Sequence, residues 1–191
     1  MLYTERGALS IGAPGARIVG MDDNQEKAAA RGRYKNVVQA SKLPERVWGR
    51  ETGIFGAAGF EAAVGLGAKD LGYCLVSLDP GRRSCPLHFH HSEEEMFFVL
   101  KGKSMLRQGK EEDGDYEEIE VSAGDFMAFP SGTGIAHQFV NHTEEPFEYM
   151  AVSNKVKSDV AEYPDSNKVL MRQTGMMLKR EPTLTYFDGE L

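Results

Sequence analysis

The chain has 191 residues, 41% of them hydrophobic and 27% charged, the balance of an ordinary water-facing globule of one domain, with or without arms. A net charge of −7 argues against nucleic acid, whose binding needs a basic footprint. No apolar run approaches a membrane span, and the start, MLYTERGALSIG, lacks the basic, apolar, small-residue order of a secretory leader. Two cysteines, Cys74 and Cys85, are too few for a disulfide scaffold, so free thiols in a cytoplasmic setting are expected, with buried packing favoured over a redox or ligand role.

Residues 1–35 show little periodicity and read as an N-terminal arm, with a short helix over Asp22–Arg31. Strands are expected at Asn36–Ala40 and, after a turn at Pro44, at Val47–Arg50 around Trp48. Residues 53–68, rich in Gly and Ala, read as a loop or a close-packed strand pair. Leu71–Leu78 is a strand and Asp79–Gly81 a turn.

The stretch from 81 to 102, GRRSCPLHFHHSEEEMFFVLKG, carries the chemistry. His88 and His90 are two apart, so in a strand their imidazoles share a face. The chain then turns through His91–Glu94 and enters an apolar strand, Met96–Leu100, with Glu95 just before it. Lys103–Gln108 and Tyr116–Val121 flank a charged hairpin loop whose turn signal is Asp113–Gly114. Phe126–Pro130, a Gly132–Gly134 turn and Ala136–Asn141 follow, the last bearing His137. Phe147–Ser153 closes the set. Regularly spaced short strands punctuated by Gly, Pro and Asp indicate an all-β sandwich or barrel, here residues 36–155. The C-terminal tail, 156–191, has a turn at Tyr163–Ser166, a strand or helix within Val169–Arg180, and Tyr186–Phe187 available to pack back on the barrel.

The two His-bearing segments resemble the paired motifs of the cupin superfamily. The first motif, G-x5-H-x-H-x(3,4)-E-x6-G, is matched by Gly81, His88, His90, Glu95 and Gly102. The second, G-x5-P-x-G-x2-H-x3-N, is matched by Gly124, Pro130, Gly132, His137 and Asn141. Six residues instead of five separate Gly81 from His88, and four instead of two separate Gly132 from His137; both departures fall in turns, where length is tolerated. The resemblance covers about residues 70–155, and the wider run is similar to a group of uncharacterised bacterial single-domain cupins (monocupins). It implies a double-stranded β-helix, the cupin jelly-roll barrel, with arm and tail packed outside.

It also implies a metal held by His88, His90, Glu95 and His137, a three-nitrogen, one-oxygen set suited to Fe, Mn, Ni, Zn or Co as the divalent ion. Glu94 is the alternative carboxylate, but only Glu95 keeps six residues before Gly102 and places Phe97 and Val99 inward with it. The expected pocket lining is Tyr73, Leu75, Phe97, Val99, Phe126, Ala128 and Phe139, a mostly apolar cup for a small-molecule ligand, with Tyr73 the one candidate acid or base. Arg82 and Arg83 precede the ligands and are solvated or meet an anion; Asn141 serves a turn or supports a ligand; His91 and His142 face outward. Dioxygenase, isomerase, epimerase, lyase and decarboxylase chemistry on a small organic acid, sugar or related metabolite is what the resemblance permits, with a non-catalytic binding or sensor module as the competing reading. The outward residues Leu87, Phe89, Met96, Phe98 and Leu100 are also apolar, so arm, tail or a second subunit should cover them, and a homodimer is expected.

Overall fold

Strand β3 (Leu71–Leu78) sets the pattern for the barrel. Its side chains alternate between buried and half-buried positions, so Cys74, Val76 and Leu78 enter the core while Tyr73, Leu75 and Ser77 line the other face. The computed structural model describes residues 30–49, 53–181 and 183–190. The helix expected over Asp22–Arg31 falls almost wholly outside the described residues.

Ahead of β3 come β1 (Arg46–Trp48), β2 (Ala57–Phe60) and one helical turn, α1 (Ala62–Gly65). The strand expected at Asn36–Ala40 does not form: Val37 makes a single bridge to Arg31, and Ala40–Lys42 winds into a 3₁₀ turn. After β3 come β4 (Phe89–His90), β5 (Glu95–Lys101), β6 (Lys103–Gly109), β7 (Glu117–Ser122), β8 (Phe126–Phe129), β9 (Ala136–Val140) and β10 (Phe147–Asn154). The tail supplies β11 (Val160–Tyr163), β12 (Lys168–Met171) and β13 (Met176–Lys179).

These strands pair antiparallel into a six-stranded sheet ordered β1-β2-β3-β10-β5-β8, a three-stranded sheet β7-β6-β9 and a four-stranded sheet β13-β12-β11-β4. Bridges Arg83–Val140 and His88–His137 stitch β9 to the segment running into β4. The result is an all-β barrel, as the turn spacing indicates, in the jelly-roll form that the resemblance implies. Its core is one cluster drawn from both sides, including Val76, Leu78, Phe97, Val99, Leu106, Phe139, Phe147 and Tyr149. Full burial of each such aromatic or aliphatic side chain is worth roughly 1.5–3 kcal/mol.

The β5–β6 hairpin needs glycine at 102. Its φ is +82°, and a β-carbon there would lie 2.7 Å from the Pro146 carbonyl oxygen.

Two strands are inverted relative to expectation. On β8, Met127 and Phe129 are buried while Phe126 and Ala128 are exposed. On β3, Tyr73 and Leu75 sit on the outer face, as Tyr73 pairs with Val152 while its neighbour Cys74 pairs with the buried Ala151. Phe97, Val99 and Phe139 are inward as expected.

The tail is part of the sheet framework. β11 pairs with β4, setting Ala161 opposite His90 and Glu162 opposite Phe89. Arg107 grips Asp165 with two hydrogen bonds of 2.6 and 3.0 Å, holding the turn after β11 to the barrel. Leu87, on the outward side of the motif, is fully buried within the chain. Tyr186 and Phe187 do not pack back; they are 88% and 76% exposed. No helix among the described residues is long and apolar enough to cross a membrane.

Candidate metal centre

His88 and His90 stand at the start of β4, and His137 lies on β9 directly across from His88. The His137 amide donates to the His88 carbonyl at 2.9 Å, and the His88 amide returns a bond to the His137 carbonyl at 3.4 Å. Glu95 opens β5 and enters from the opposite sheet. Strand parity sends all four side chains into the barrel, where each residue is at most 7% exposed.

They meet around one atom. Glu95 Oε2 lies 3.0 Å from His137 Nε2, 3.5 Å from His90 Nε2 and 3.7 Å from His88 Nε2. The donor atoms of His88, His90 and Glu95 all fall within 4.8 Å of one another. Neighbouring donors on a divalent ion with bonds of about 2.1 Å stand about 3 Å apart in octahedral geometry, close to this spacing. His90 Nε2 is buried with no hydrogen-bond partner among the described residues. A buried nitrogen lone pair left without a donor fits a cation ligand. Glu94 is exposed, its amide donates to Asn154 Oδ1 at 2.6 Å, and it is Glu95 that gathers with His88 and His90.

Electrostatics follow from burial. Burial alone would push the Glu95 carboxyl up, but the hydrogen bond from His137 and the nearby imidazoles outweigh it, and the group sits well below the ordinary carboxylate range. His88 is pushed down, chiefly by burial and further by His137 and His90. Both shifts favour the ionisation states that bind metal: carboxylate and neutral imidazole.

Aromatic rings hold the imidazoles in place. Phe129 stacks on His137 with ring centres 3.8 Å apart, and Tyr163 stacks on His88 at 5.7 Å. His88 Nδ1 donates to the Pro86 carbonyl at 2.9 Å, which leaves its Nε2 facing the centre.

Other candidate residues are dispersed. Tyr73 is on the outer face and cannot serve as acid or base at the cluster. Arg83 is exposed, and Arg82 packs beside Gly56. Asn141 is a turn residue: it donates to the Leu78 and Glu145 carbonyls and accepts from the Thr143 amide and hydroxyl. His91 and His142 are exposed, paired with Glu162 and Glu120. Cys74 is a core thiol, pushed up to about 12 by burial. Cys85 Sγ lies 3.7 Å from His88 Nδ1.

The sequence reading missed the tail's contribution. Tyr163 and Asp159 both reach the imidazoles, Asp159 Oδ2 accepting from His90 Nδ1 at 2.6 Å. No local pattern marks either residue; the one available signal was the short alternating run VAEY after Asp159.

Residues 74–153 match the family model of the cupin domain. A maize protein, auxin-binding protein 4 of Zea mays, is 30% identical over 129 residues, covering 65% of this chain and 60% of that protein, so the chain spans less than two thirds of that relative. Among solved structures, a sugar phosphate isomerase of the cupin superfamily from Silicibacter pomeroyi is 25% identical with a TM-score of 0.66, covering 78% of this chain and 97% of that one. A protein assigned as a sugar phosphate isomerase from Acidithiobacillus ferrooxidans is 26% identical with a TM-score of 0.61, covering 68% and 80%.

Proposed function

We propose, from the premise that the chain belongs to the cupin superfamily, that it is a metal-dependent enzyme acting on a small metabolite of the sugar or sugar phosphate class. In this reading His88, His90, Glu95 and His137 hold one divalent cation. The observation that carries it is the gathering of three imidazole nitrogens within 3.7 Å of a single buried carboxylate oxygen. The two isomerase neighbours, at 25% and 26% identity, support the substrate class.

A cation bound there supplies Lewis acidity toward a substrate oxygen. The protein's own contribution is placement. Strands from opposite sheets fix the donors, and Phe129 and Tyr163 stop the imidazoles from rotating. The apolar rings of Phe97 and Phe129 pack against His137, and apolar surroundings strengthen the charge interactions beside them.

A second reading, a non-catalytic small-molecule binding protein, is supported by the maize relative, whose name denotes binding. One experiment separates the two. Metal-loaded protein is incubated with a panel of aldose and ketose phosphates and followed by proton NMR in deuterated water. Turnover with solvent deuterium entering the product supports the enzyme. Saturable binding of a panel member without conversion supports the binding module.

We also propose a homodimer through the outer face of the six-stranded sheet. Phe126 is 69% exposed and packs on Phe98 with ring centres 4.4 Å apart, and Leu100 beside them is 45% exposed. Exposed apolar side chains clustered on one sheet face mark an association surface.

A further inference from the structure

A second buried cluster lies behind the first: His90, Glu93 and Asp159. Its atoms are already engaged. Asp159, 1% exposed, accepts from the Ser92 amide at 2.8 Å and the Glu93 amide at 3.0 Å through Oδ1, and from His90 Nδ1 at 2.6 Å through Oδ2. Glu93, 1% exposed, is met by Arg172 at 2.8 Å, and the Arg172 amide donates to the Asp159 carbonyl at 3.0 Å. With Nδ1–H given to Asp159, His90 has only Nε2 left to offer.

We infer that Asp159, on the chain entering β11, is the positioning residue that locks His90 in its Nδ1–H tautomer and so presents the Nε2 lone pair to the cation. This rests on the metal reading above for its consequence, though the tautomer itself does not depend on metal. Two backbone amides need an acceptor, and both point at Oδ1. That fixes the carboxylate's orientation and leaves Oδ2, an acceptor only, facing the imidazole. An acceptor there demands a protonated Nδ1, and a neutral imidazole protonated at Nδ1 is unprotonated at Nε2. The tail therefore completes the centre from behind.

Asp159→Asn inverts the arrangement without changing its shape. The two amides keep Oδ1, so the new NH₂ faces His90 and donates to Nδ1. The imidazole must then carry its proton on Nε2, the wrong tautomer for a ligand. The test has two arms. In the first, metal-free protein labelled with ¹⁵N-histidine is examined at about pH 9, where imidazoles are neutral. Wild type should show His90 as Nδ1–H, and Asp159→Asn should show Nε2–H, with the thermal midpoint within a few degrees of wild type. In the second, Mn(II) affinity is measured by titration calorimetry. Asp159→Asn should bind at least about 10–100-fold more weakly than wild type. Asp165→Asn, which loosens the tail at Arg107 without touching His90, should bind as wild type does. If His90 in Asp159→Asn stays Nδ1–H, or if that variant binds Mn(II) as tightly as wild type, the inference is overturned. A wild-type protein that shows the Nδ1–H tautomer but binds neither Mn(II) nor Zn(II) defeats the metal reading and leaves the tautomer lock standing.

Discussion

His88 and His137 are cross-strand neighbours whose main chains bond to each other in both directions, at 2.9 and 3.4 Å. This single bridge does two things: it joins the three-stranded and four-stranded sheets, and it sets two imidazoles side by side with ring centres 4.7 Å apart. Site and fold are coupled here, so substitutions at the cluster need a measure of folding beside any measure of metal.

The packing behind His137 should be costly to disturb. Phe97 touches the rings of Phe129, Phe139, Tyr149 and His137, with centres 5.3–5.9 Å apart. Phe97→Ala should cost about 3–5 kcal/mol. Urea unfolding followed by circular dichroism checks this; a loss below about 1 kcal/mol would show that the cluster is not packed as described.

The hairpin at Gly102 should be equally intolerant for a backbone reason. A β-carbon there meets a carbonyl oxygen at 2.7 Å on a backbone with φ of +82°. Gly102→Ala should destabilise by at least about 2 kcal/mol, combining left-handed strain with a clash against main chain that cannot rotate away. Gly114→Ala, with nothing near its β-carbon and φ of +79°, carries the strain alone and should cost less in the same unfolding experiment.

Association should depend on the outer face. Phe126→Asp places a charge where Phe98 and Phe126 stack, and it should convert a dimer into a monomer in size-exclusion chromatography with light scattering, with the fold intact. Wild-type protein that runs as a monomer at micromolar concentration contradicts the proposed dimer.

Acid should destabilise the metal-free protein. His88 is held below its ordinary value by burial, so the unfolded chain binds the extra proton first, and stability falls as pH drops through the ordinary imidazole range near about 6.5. Glu95 and Asp159 sit below the ordinary carboxylate range; the stability they contribute is present above about pH 4–5 and is lost as pH falls further. Glu93, pushed up by burial against the pull of Arg172, runs the other way and blunts the loss. The thermal midpoint should therefore fall from pH 8 to pH 5. A midpoint that is flat or rising over that range contradicts these assignments.

Much of this was legible because it depends on short spacings. The two-residue step from His88 to His90 puts both imidazoles on one face whatever else the chain does, and the parity of Glu95 with Phe97 and Val99 carried across the turn. Face assignment failed at Tyr73, Leu75, Phe126 and Ala128 because β3 and β8 are apolar on both sides, so alternation in LGYCLVSL or FMAF does not say which side is the core. Asp159 was out of reach for a different reason. Its role exists only through pairing with a strand 69 residues away, and an aspartate ahead of VAEY looks in sequence like any solvated turn residue.

Metal content tests most directly whether these four side chains hold a cation. Protein purified without nickel affinity or chelator is loaded with divalent metal, desalted and measured by inductively coupled plasma mass spectrometry beside His88→Ala and Glu95→Gln, each checked for folding by circular dichroism. The account predicts about one metal ion per wild-type chain and, from ligand losses expected to exceed about 100-fold in affinity, almost none in either folded variant. Full stoichiometry in folded His88→Ala or Glu95→Gln, or none in wild type, would contradict it.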